Sequence, residues 1–110
     1  MGLFSRANRT PKKSPGVSER EAQAETLSHL AAFVASHQGC EAYIEPRTRV
    51  TGTTMVIVAE SGEWTRRKVP DEATAEKAAR ILGIVSYNVN LSGYPSRMRE
   101  WNERQRKHRG

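Results

Sequence analysis

Apolar side chains recur along this chain in two rhythms, one helical and one alternating, and they predict its elements in order. Leu27, Leu30, Ala31 and Val34 fall at i, i+3, i+4 and i+7, the spacing of one helical face. Just upstream, Ser18-Glu19-Arg20-Glu21 reads as a capping box, in which the Ser18 hydroxyl accepts from the Glu21 amide and the Glu21 carboxylate reaches back. Gly39 is the natural stop, so the spacing predicts a helix over 19–37. Residues 41–47 (EAYIEPR) suit a short strand that Pro46 demotes to an edge or ends early. After a turn at Thr51-Gly52, residues 53–60 (TTMVIVAE) are the most apolar stretch and rich in β-branched side chains, as a central strand requires. Ser61-Gly62 predicts a hairpin, with 63–69 (EWTRRKV) as its return strand. Side chains alternate there, so Trp64, Arg66 and Lys68 share one face and Thr65, Arg67 and Val69 the other. Pro70 and Asp71 open a second helix whose buried face is Ala75, Ala78, Ala79 and Leu82, and Gly83 ends it. Residues 84–91 (IVSYNVNL) alternate cleanly, with Val85, Tyr87, Val89 and Leu91 on one side, predicting a half-buried strand. Pro95 fits the first turn of a third helix over roughly 95–106, in which Met98, Trp101 and Gln105 share a side.

The resulting order, α-β-β-β-α-β-α, describes a single α+β domain. Three strands joined by short links suggest an antiparallel meander, so the sheet is expected to be mainly antiparallel with the helices packed on one face. Only 36% of the residues are hydrophobic, below the usual globular range, which implies that part of the chain does not pack. Residues 1–17 carry two prolines, two glycines and four cations, too little apolar area to offset the entropy of ordering, and are expected to form a disordered basic arm. The domain is expected over 18–106, followed by a basic tail, 107–110.

Charge changes this picture by its placement. The formal net charge is +6, yet the middle, 18–96, holds eight basic and ten acidic residues. The surplus lies at the ends: Arg6, Arg9, Lys12 and Lys13 with no acid, then Arg97, Arg99, Arg104, Arg106, Lys107 and Arg109 against Glu100 and Glu103. Basic ends on a mildly acidic body favour polyanions, and they also serve as plain solubilising segments.

Other classes find little in these residues. The single cysteine, Cys40, permits no internal disulfide and suits a reducing, cytoplasmic setting. No apolar run approaches the ~20 residues of a membrane span, so stable membrane insertion is not expected. His37 and Cys40 lie three apart, but no second pair completes the four ligands of a structural zinc, so no metal is expected. The same two residues, as a thiolate pair, would need an orienting third group. Glu45, Glu60 and Glu63 are the carboxylates that strand ends would bring together as acid and base. Neither a dinucleotide fingerprint nor a phosphate loop occurs, and no catalytic residue or cofactor is expected.

Two resemblances add to this reading. The order α-β-β-β-α over 19–82 is similar to that of the double-stranded-RNA-binding domain. That family carries a lysine cluster at the start of its second helix, where this chain reads PDEATAEKAAR, so its mode of binding does not transfer. The opening MGLFSR, the stretch EAYIEPRTRVT, the hairpin GEWTRR and the segment GYPSRMREWN resemble a family of short, uncharacterised actinobacterial proteins, some labelled oxidoreductases without a supporting motif. The resemblance implies a cytoplasmic protein and no mechanism.

The functional expectation is therefore a non-enzymatic binding protein attaching to RNA, a ribonucleoprotein or DNA. Its surface would be Arg66, Arg67 and Lys68 beside Trp64, together with Arg97, Arg99, Arg104, Arg106 and Lys107 around Trp101, where cations meet phosphate and flat rings stack on bases. On the bland reading the indoles are core anchors and the arginines a solvated face. The alternative function is a protein-interaction module docking through Trp64, Tyr94 and Trp101.

Overall fold

A computed structural model describes residues 15–109. Its elements are α1 (Pro15–Ser36), β1 (Glu41–Glu45), β2 (Thr54–Val58), β3 (Trp64–Lys68), α2 (Glu72–Leu82), β4 (Ser86–Asn88), α3 (Val89–Ser92) and α4 (Ser96–Arg109). The α+β class and the expected order hold, with one extra turn of helix, α3. Residues 1–14 of the expected arm lie outside the described residues.

α1 starts earlier than the capping box suggests. Pro15 occupies the first turn, where its missing N–H removes no helical hydrogen bond, and the helix runs on through Ser18–Glu21. α2 follows the sequence closely. Asp71 caps its start by accepting from the Thr74 amide at 2.8 Å, and Gly83, at φ 75°, closes it by donating to the Ala79 and Arg80 carbonyls.

The sheet order is β3-β2-β1-β4, antiparallel among the first three strands and parallel between β1 and β4. β1 is thus an inner strand, so of the two outcomes Pro46 allowed, an edge or an early end, the early end holds. Pro46 lies just past its last paired residue, so it ends the strand without removing a ladder bond.

Alternation divides the sheet into two faces. Ala42, Ile44, Met55 and Ile57 point to one side and pack with Leu30 of α1 and Ala75 and Ala79 of α2. Small alanines let α2 lie close to the strands. Tyr43, Val56 and Val58 point to the other side and pack with Met98 of α4 and with Trp64. The expectation that all helices share one face therefore holds for α1 and α2 and fails for α4. β2 is covered on both sides, which explains why its run of residues reads as continuously apolar.

The expected strand over 84–91 is the other departure. Only Ser86–Asn88 pair with β1; the Asn88 side chain then accepts from the Asn90 amide and starts α3. An Asx cap offers the backbone an alternative to the ladder, and here it overrides the alternating pattern.

Candidate nucleic-acid interface

α4 is set on the sheet by the β2–β3 hairpin. The hairpin closes through Ala59 N–H to the Glu63 carbonyl, 2.8 Å, and Gly62 N–H to the Ala59 carbonyl, 2.9 Å. Gly62 is buried against the first turns of α4, so close that a Cβ there would meet the Arg97 carbonyl oxygen. Met98 fills the apolar floor. The Trp64 indole N–H donates to Asn102 Oδ1 at 2.9 Å, tying β3 to α4.

The arginines that flank this contact bond to groups of the same chain. Arg97 donates from Nε to the Ala59 carbonyl, 2.9 Å, and from Nη2 to Glu41, 2.8 Å. Arg66 grips Glu45 with two bonds of 2.9 Å and lies 5.1 Å from the centre of the Trp64 ring. Arg104 donates to the Ser61 carbonyl at 2.9 Å and sits over Trp101 at 5.8 Å. Glu45 also accepts from the Thr54 and Tyr94 hydroxyls. Glu41 also accepts from the Tyr43 hydroxyl, 3.0 Å.

These contacts hold the charged forms in place. The Arg97 hydrogen bond holds the Glu41 carboxyl below its ordinary value. Burial alone would raise Glu45, but the bonds from Arg66, Thr54 and Tyr94 outweigh it and the net direction is also down. Tyr43 and Tyr94 are pushed up, first by burial and then by donating to these carboxylates.

The sequence-predicted surface is thereby divided. Arg66 and Arg97 are in ion pairs, and Trp64 and Trp101 are half-buried with an arginine over each ring. Arg67 leaves on the opposite face of β3, with its Nη2 3.2 Å from His29 Nδ1 and a bond to the Arg66 carbonyl. Lys68 is exposed at the end of that edge strand. Arg99, Arg106 and Lys107 are exposed on α4, and among the described residues none of them forms an ion pair. No acid follows Glu103, so the last turns of α4 form an outward cationic end.

The remaining chemistry candidates do not assemble. The His37 ring stacks on Phe33 and contacts Glu63 at 3.0 Å, while the Cys40 thiol points to the His37 carbonyl, so ring and thiol are not paired. Burial pushes the Cys40 thiol up, the wrong direction for a nucleophile. Glu45 is taken by Arg66 and Glu63 by His37, separate contacts in separate places. Among the described residues, no three His, Cys, Asp or Glu side chains gather as a metal would need, and no helix is long and apolar enough to cross a membrane.

Sequence reasoning missed Glu41 and gave Glu45 a different role, as acid or base and not as the partner of Arg66. The signal was present: acids at alternate positions around Tyr43, in a strand flanked by apolar residues, demand cationic partners once the sheet forms. Comparison with protein-family models, with curated proteins and with solved structures returned no match.

Proposed function

We propose that this chain is a small non-enzymatic binding module that holds RNA, a ribonucleoprotein or DNA through the outer side and end of α4. The observation that carries this reading is the exposure of Arg99, Arg106 and Lys107 without an internal ion pair among the described residues, whereas Arg66 and Arg97 are held by Glu45 and Glu41. With Trp64 and Trp101 half-buried and an arginine over each ring, little indole face is left for bases to stack on, and contact falls mainly on the phosphate backbone. Binding of this kind positions a protein without reading sequence. The acidic start of α2, where Asp71 is occupied in capping Thr74, offers phosphate nothing.

Fluorescence anisotropy with single- and double-stranded oligonucleotides at several salt concentrations tests this. If about four phosphates are neutralised, log affinity falls with log salt at a slope of roughly −3 to −4. Replacing Arg106→Gln and Lys107→Gln together keeps good helix formers and reduces that slope by about 2. Absence of binding at low salt, or a slope unchanged in the double variant, would remove the reading. Docking of a protein through Trp64, Tyr94 and Trp101 has less support, because the Trp64 indole already ties the hairpin to α4 and Arg104 lies over the half-buried Trp101 ring.

A further inference from the structure

The two edges of the sheet are unlike. β3, at one edge, carries Arg66, Arg67 and Lys68, and a row of cations protects an edge from pairing with its own copy. β4, at the other edge, has no such protection. From Ile81 to Pro95 the chain contains no charged side chain, although charged residues make up 27% of the whole. The same stretch displays most of the exposed large apolar side chains among the described residues: Val85 is 58% exposed, Leu91 88%, and Ile81, Tyr87 and Tyr94 are exposed too.

We propose that β4 is a self-association edge, pairing antiparallel with β4 of a second copy across a two-fold axis to make one continuous sheet. The backbone supports this. The Val85 carbonyl accepts from Ala42 N–H at 2.9 Å and so points into the sheet. Alternation then turns the N–H and carbonyl of Ser86 to the open side. Ser86 opposite Ser86 of the second copy exchanges two hydrogen bonds, and that register sets Val85 against Tyr87 of the other chain. Such a pair, β-branched against aromatic on one face, is a favourable cross-strand contact. Tyr87 is already placed for it, stacked on Tyr43 with ring centres 5.3 Å apart. A two-fold interface opposes a patch to itself, so a charged patch repels its copy and an uncharged apolar one does not. That absence of charge selects a second copy over a polyanion, which has nothing to grip here. The β4 edge and the outer side of α4 are separate surfaces, and self-association through one does not depend on polyanion binding by the other.

Sedimentation or light scattering of the full chain, up to about 100 µM because association depends on concentration, reads the mass directly. About twice the 12.3 kDa chain mass is expected, with single-chain mass for Val85→Arg, which sets cations against the partner edge. A wild-type chain of single mass at every concentration overturns the proposal, and so does a Val85→Arg chain that still doubles. Should Val85→Arg lose its circular dichroism spectrum, a second variant decides: Val85→Cys with Tyr87→Cys in a Cys40→Ser background. Oxidation of that variant gives an inter-chain disulfide between residues 85 and 87 if the register is right; recovery of single chains only overturns it.

Discussion

Gly62 is the residue on which the placement of α4 turns. Its φ of +98° is strained for any L side chain, and an added Cβ would lie 2.1 Å from the Arg97 carbonyl oxygen and 2.8 Å from the Trp101 Cβ. Because the obstruction is backbone, rotating a side chain does not relieve it. Gly62→Ala is expected to cost about 2–4 kcal/mol, the sum of conformational strain and overpacking, read by urea denaturation. Gly52→Ala is the control: a Cβ there meets nothing within 4 Å, and the change is expected to be neutral or to stabilise by less than about 1 kcal/mol. Equal stability of the two variants would mean that α4 does not rest on the hairpin. The turn at Ser61-Gly62 was legible in the sequence; the demand for glycine by a helix 35 residues later was not, because it arises only when the two pack.

At the scale of elements, Trp64 and α4 show what a pattern can and cannot convey. Alternation placed Trp64, Arg66 and Lys68 on one face of β3, and the register agrees, with Trp64 opposite Val58 and Arg66 opposite Val56. The pattern left open whether that face is wet or covered, and α4 covers its Trp64 end. Trp64→Ala is therefore expected to cost about 3 kcal/mol, as for a packed aromatic, where a surface change costs under about 0.5. Chemical denaturation followed by circular dichroism separates the two. β4 is the opposite case. Its alternating run, 84–91, has the form of a half-buried strand, yet Val85, Tyr87 and Leu91 are exposed and only three residues pair. An apolar face that the single chain leaves uncovered is what a second copy would bury. α1 and α2 were legible because their signals are local: helical spacing in both, and for α2 the Pro70-Asp71 opening and the Gly83 stop, although the start of α1 lies before its capping box.

For the whole molecule, the ion pairs Arg66–Glu45 and Arg97–Glu41 fasten β1 to β3 and to α4, and they carry a pH dependence. Both carboxyls are held below their ordinary value in the folded state. Folding is therefore favoured by these groups above the unfolded glutamate pKa, about 4.3, and that contribution is lost as pH falls through the lower folded values. Thermal unfolding followed from neutral to acidic pH should show stability declining in this window. Glu45→Gln should be less stable at neutral pH and should decline less steeply; a slope equal to that of the wild-type chain would show that Glu45 is not held by its partners.

The amino-acid sequence by itself determined the order of the main elements, the α+β class and the surplus of cations at the far end of the chain. All of these depend on neighbours a few residues apart, where spacing, caps and turn chemistry act. Tertiary structure alone decided which arginines stay available. Glu45 and Arg66 are 21 residues apart and Glu41 and Arg97 are 56 apart, brought together by strand register and by the seat of α4 on the hairpin. A charge is free or engaged according to what faces it across the fold, and no local pattern carries that information.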